Sequence, residues 1–76
     1  MPMVTVKLIE GVFSPEKKRE MIHKLTETMV SIEGENLRPA TLVVIEEVKS
    51  GDWAVGGQAF TTEGVKAMQT GRVKAA

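Results

Sequence analysis

Between Met1 and Val48 this chain carries one helix-like stretch flanked by two strand-like ones, and that order leaves few folds open. The first stretch, Met1 to Glu10, places Val4, Val6 and Leu8 on one face and Met3, Thr5, Lys7 and Ile9 on the other. This is the period-two pattern of a half-buried strand. The second, Ala40 to Val48, is rich in β-branched residues and apolar at its centre on both faces, as in an interior strand covered on both sides. Between them Ser14 suits a helix N-cap, Pro15 the first helical position, and Glu16 the positive end of the helix dipole. Ile22, Leu25, Met29 and Ile32 recur at helical spacing, Met21 widens the stripe, and Gly34 is a natural C-cap, so the helix is predicted over residues 15–33. Glu35 to Pro39 reads as a loop, because Pro39 turns Arg38 away from helical geometry. Strand, helix and strand of this length make a β-α-β unit, with parallel strands and a right-handed crossover.

The rest of the chain is shorter-ranged. Lys49 to Asp52 has turn chemistry, and Trp53 to Phe60 reads as a short extended segment or hairpin whose Gly56-Gly57 pair permits positive φ. Thr61 or Thr62 is placed to cap a short helix running to about Gln69. The tail Thr70–Ala76 is small and basic, and is expected to be mobile. The fold class is therefore α+β: a single β-α-β unit with a C-terminal hairpin and short helix.

A β-α-β unit has one helix, which covers one face of a two-stranded sheet. Met3, Ile9, Leu42, Val44 and Val48 are then expected on a bare face, an apolar patch too large for a stable monomer. In a chain of 76 residues, 42% of them hydrophobic, a lone core is marginal. An obligate oligomer follows, in which protomers join their sheets and stack. The balance of 10 basic and 10 acidic residues argues against a nucleic-acid partner. No apolar run is long enough to span a bilayer and no secretory signal is visible, so a cytoplasmic protein without a membrane partner is expected. There is no cysteine, and His23 is the only histidine, so neither thiolate chemistry nor a metal site is expected.

One group remains for chemistry. Pro2 follows Met1 directly, and a small second residue permits removal of the initiator methionine. Pro2 would then carry a free secondary amine able to act as a base near neutral pH without a metal or a cysteine, whereas His23, beside the apolar stripe of a charged helix, reads as a surface histidine. Taken alone, Pro2 is also a proline tolerated at a strand's start, where its missing N–H matters little.

Pro2, a strand ending Ile9-Glu10-Gly11, a Ser14-started helix with Glu16-Lys17-Lys18, a strand ending Val44-Ile45-Glu46-Glu47, and then Gly51-Asp52-Trp53-Ala54-Val55-Gly56-Gly57 occur in one order. This ordered set resembles the short-chain 4-oxalocrotonate tautomerase family of the tautomerase superfamily. It covers about residues 2–60 of a single domain, 1–76, and leaves 61–76 as a C-terminal extension. The resemblance implies a tautomerase-like (MIF-like) protomer whose sheets are completed by oligomerisation, in a homo-hexamer built as a trimer of dimers. It implies no cofactor, an amino-terminal proline as general base, and small enolisable substrates such as 2-oxo acids. Relatives acting on dicarboxylates typically carry arginines at the positions of Val12 and Leu42, and neither apolar side chain can imitate an arginine's fork on a carboxylate. On this resemblance Pro2 is the catalytic residue, Trp53 an apolar wall of the substrate site, and Val12 and Leu42 the site positions where the arginines are missing. Arg38, four residues before Leu42, is read from its place in the loop as a candidate anion contact, with Lys7, Lys17 and Arg19 as the other possibilities. For Trp53 the competing role is interface packing, and for Arg38 a solvated loop position. The residues leave two other functions open. One is hydration or dehalogenation of an unsaturated acid with Asp52 as a helper. The other is a small-molecule binder or hetero-oligomer subunit that has lost activity.

Overall fold

The computed structural model describes residues 1–71. Strand β1 spans Met3–Ile9, helix α1 Pro15–Glu33, a 3-10 helix Glu35–Ala40, strand β2 Leu42–Val48, strands β3 and β4 Trp53–Val55 and Gln58–Phe60, and helix α2 Thr62–Gln69. The architecture is α+β, as predicted. β1 and β2 pair in a two-stranded sheet. At one end the Leu42 N–H donates to the Pro2 carbonyl at 3.1 Å, and at the other the Glu10 N–H donates to the Val48 carbonyl at 2.8 Å. Start is matched with start and end with end, so the strands are parallel. The chain divides into two compact units: Met1–Val6 with Phe13–Glu46, and Lys7–Val12 with the chain from Glu47 onward.

In the first unit, α1 begins where the sequence places it. Ser14 is extended (φ −68°, ψ 161°), and its hydroxyl accepts the Lys17 N–H at 3.1 Å, satisfying one of the helix's free amides. Gly34 closes the helix at φ 106°, its N–H donating to the Val30 carbonyl at 2.9 Å. On the strands Val4, Val6, Val43 and Ile45 are half-buried, and they alternate with exposed Met3, Thr5, Leu42 and Val44. On the helix Met21, Leu25 and Met29 are half-buried and Val30 is deepest, at 5% exposure. Ile22 and Ile32 were expected in the core by their spacing, but both are exposed, Ile32 at 77%. A sheet of two strands is too narrow to cover the whole apolar stripe of a 19-residue helix. The same narrowness explains why β2 is covered on one side only, where its composition predicted cover on both.

The segment predicted as a loop, Glu35 to Pro39, is instead a 3-10 helix. Its tighter turn needs only bonds between residues three apart, such as Leu37 N–H to the Gly34 carbonyl and Thr41 N–H to the Arg38 carbonyl. Neither bond asks Pro39 for a donor, so the proline is accommodated.

In the second unit Ile9 is 6% exposed and Val48 half-buried, although both were expected on a bare face. The reason lies in the C-terminal segment. The Thr62 hydroxyl donates to the Glu10 carbonyl at 2.6 Å, the Thr62 N–H to the Ser50 hydroxyl at 2.9 Å, and the Ser50 N–H to Glu10 Oε1 at 3.2 Å. These bonds tie the start of α2 to the residue next to Ile9. β3 and β4 form an antiparallel hairpin in the register Trp53 to Phe60, Ala54 to Ala59 and Val55 to Gln58. Its two-residue turn is Gly56-Gly57, at φ 58° and 83°. Positive φ at both positions matches the twist of the flanking strands and favours glycine. Thr61 is the N-cap of α2, accepting the Gly64 N–H at 3.1 Å. Of the tail Thr70–Ala76, residues 72–76 lie outside the described residues.

Candidate active site

Pro2 lies directly before β1 and is half-buried. Its carbonyl is held by the Leu42 N–H. Its ring nitrogen has no hydrogen to give to a ladder, so the sheet holds this residue through its carbonyl and makes no demand on its nitrogen. Leu42 is thus a backbone neighbour of Pro2, and its side chain is 45% exposed. Thr41, just before it, is fastened by its amide and by its one hydroxyl hydrogen, which faces two acceptors. Its N–H donates to the Arg38 carbonyl at 3.2 Å, and its hydroxyl contacts the Leu37 carbonyl at 2.9 Å and Glu33 Oε2. Glu33 Oε1 is buried and has no hydrogen-bond partner among the described residues. Neither Glu33 nor Thr41 stands out in the sequence. The available signal is an acidic residue ending a helix, where the dipole favours a cation.

Arg38 belongs to the same unit, in the 3-10 helix. Its guanidinium bonds Glu35 through Nε at 2.6 Å and Nη2 at 3.2 Å, and Glu27 through Nη1 at 2.7 Å and Nη2 at 3.1 Å. Both carboxyls are lowered from their ordinary value, chiefly by these hydrogen bonds, and the guanidinium is raised, chiefly by Glu27 and then by Glu35. The arginine's fork is therefore already engaged by carboxylates of its own chain.

Val12 and Trp53 belong to the second unit. Val12 is half-buried and lines an open hollow of about 500 Å³ with Glu63, Lys66, Ala67, Gln69 and Thr70 of α2 and its end. Trp53 is half-buried and stands opposite Phe60 in the hairpin. Asp52 is exposed in the preceding turn, its N–H donating to the Lys49 carbonyl at 2.9 Å. Among the predicted site residues, Pro2 and Leu42 are brought into direct hydrogen-bonded contact. Among the described residues no group of three or more His, Asp or Glu side chains could hold a metal ion. No described helix is long and apolar enough to cross a membrane.

The family model for tautomerase enzymes matches residues 2–63. The fold is that of the crystal structure of a 4-oxalocrotonate tautomerase homologue, TTHB242, at a TM-score of 0.70 and 40% identity over 79% of this chain and 92% of that one. The chain belongs to the 4-oxalocrotonate tautomerase family of the tautomerase superfamily. Relatives include probable tautomerase K2 of Dickeya dadantii, 34% identical over 62 residues, which make up 80% of this chain and 90% of that protein. The 2-hydroxymuconate tautomerase of Bacillus subtilis is 38% identical over 58 residues, 76% of this chain and 90% of that protein. This family member is accordingly a tautomerase-type enzyme, an isomerase.

Proposed function

We propose that this tautomerase-family enzyme moves a proton between carbon and oxygen of a small enolisable carbonyl compound, with Pro2 as the base. Met1 is removed, and the secondary amine of Pro2 takes a proton from the enol hydroxyl and returns it to carbon as the keto form appears. The observation that carries this reading is the Leu42 N–H bond to the Pro2 carbonyl, which fixes the proline while leaving its nitrogen out of the sheet. Half-burial disfavours the charged form of such an amine and draws its pKa toward the working pH, where a general base is most effective.

Leu42, bonded through its backbone to Pro2, is read as an apolar wall of the substrate site, and Val12 and Trp53 are assigned to that site by the family resemblance alone. Arg38 is the one cation assigned to it, but with Glu27 and Glu35 on its guanidinium it is a poor carboxylate clamp. The favoured substrate is therefore a carbonyl compound with at most one carboxylate, such as a 2-oxo acid, rather than a dicarboxylate. The apolar side chains left uncovered on the sheet (Met3 62%, Leu42 45%) and on α1 support assembly of several copies, and a hexamer built as a trimer of dimers covers such faces. The C-terminal extension is read as part of the same single domain, and the enzyme as cytoplasmic and cofactor-independent. Hydration through Asp52 has no observation in its favour, since that residue is exposed in a turn.

The test is the decay of the enol form of phenylpyruvate, followed by its ultraviolet absorbance. Loss of a general base lowers rate by roughly 10²–10⁴-fold, so Pro2→Ala is expected to lose about that much activity while keeping its circular dichroism spectrum. An active wild type in which Pro2→Ala turns over at the same rate would rule the proline out as base. Intact mass is expected to show that Met1 is absent from the active protein.

A further inference from the structure

Thr41 is the residue at which the first unit is knotted together. Its hydroxyl meets Glu33 at the end of α1 and the Leu37 carbonyl in the 3-10 helix, and its N–H meets the Arg38 carbonyl. The next residue, Leu42, gives its N–H to the Pro2 carbonyl at 3.1 Å. A single peptide link thus separates the Glu33–Thr41 bond from the bond that seats the proline. Glu33 lends one oxygen to Thr41 and keeps the other buried without a partner among the described residues. A buried carboxylate oxygen left unsatisfied is costly, and a helix end that disfavours an anion adds to the cost. The pair is therefore a poor means of gaining stability alone, and its placement beside the proline's anchor offers another role.

We propose that Glu33 and Thr41 position Pro2: the Glu33–Thr41 bond fixes the start of β2, so that Leu42 holds the proline carbonyl and the ring nitrogen keeps a single, half-buried orientation. This rests on the reading of Pro2 as the reactive amine. Neither residue touches substrate. Losing the bond leaves the amine in place but lets it swing toward water. Its reactivity at neutral pH then falls and its titration midpoint rises, because exposure to water removes the penalty on the charged form.

The probe is pyruvate with cyanoborohydride. The Pro2 secondary amine adds to the keto carbon, water leaves to give an iminium, and hydride from the borohydride reduces it to a stable tertiary amine. Mass spectrometry of the full-length protein reads the rate across pH. Thr41→Val and Glu33→Leu, which removes the acceptor, are each expected to slow labelling of Pro2 at pH 7 by roughly fivefold or more and to move the midpoint upward. Thr41→Ser, which restores the hydroxyl, is expected to return both to within about twofold of wild type. A folded Thr41→Val or Glu33→Leu protein that labels with wild-type rate and midpoint overturns the proposal. So does a Thr41→Ser protein that is folded and as slow as Thr41→Val. If Thr41→Val loses its circular dichroism spectrum, Glu33→Leu decides. Wild-type protein that never labels at Pro2 overturns the catalytic reading itself, and the positioning role falls with it, an outcome distinct from labelling that ignores the variants.

Discussion

Arg38 shows what one side chain's partners do to its chemistry. An arginine near the start of a strand reads as a contact for an anionic substrate, but Glu27 and Glu35 occupy its fork with four hydrogen bonds. Glu27 is eleven residues away, too far for any local spacing rule to reveal the pair. The same contacts set a pH dependence. Glu27 and Glu35 have folded-state pKa values below the ordinary 4.5, so the folded form binds fewer protons than the unfolded chain as pH approaches that value. Their contribution is complete above the unfolded pKa and is lost as pH falls below about 4.5 and through the lowered values. The melting temperature is expected to fall on acidification through this range. In Arg38→Met, with both partners at ordinary values, the fall is expected to be shallower. Thermal melts of the two proteins between neutral pH and pH 3 compare them directly, and parallel curves would remove the ion pairs from the account.

At the scale of elements, local chemistry was legible where it is self-contained. Ser14, Pro15 and Gly34 bound α1 as the sequence implies, and Gly56-Gly57 make the turn that their lack of a side chain permits. The errors came where an element's neighbours decide. Spacing places Ile22 and Ile32 on the apolar stripe, but it does not reveal that the sheet has only two strands and that both residues stay exposed. By its alternation Ile9 reads as lying on a bare face, because nothing local foretells that Thr62 bonds the Glu10 carbonyl from fifty-two positions along the chain. The family resemblance marked Pro2, Val12, Leu42 and Trp53, but Glu33 and Thr41 emerge only from hydrogen bonding. The Thr62 bond is testable. Thr62→Val is expected to cost about 1 kcal/mol in urea unfolding, the usual net worth of such a bond. It should also speed amide exchange in α2 more than in α1. Equal exchange in the two helices would show that the bond does not anchor α2.

For the whole molecule, only Ile9 and Val30 count as buried apolar residues among those described, a very small core for a stable chain. The exposed row of Met3, Leu42 and Val44 is the natural ground for joining protomers. Sedimentation is expected to show wild type as an oligomer at micromolar concentration and Val44→Lys as smaller species, because burying an unpaired ammonium opposes association. A Val44→Lys protein of wild-type size would move the interface elsewhere. Glu27 of α1 and Glu35 of the 3-10 helix meet Arg38 in one corner of the first unit. Two carboxylates around one guanidinium leave that corner with an excess of one negative charge. To an incoming dianion it is a fence rather than a handhold, and each added substrate carboxylate meets more repulsion there. Selectivity against doubly charged acids can thus arise at long range, before any wall of the pocket is touched.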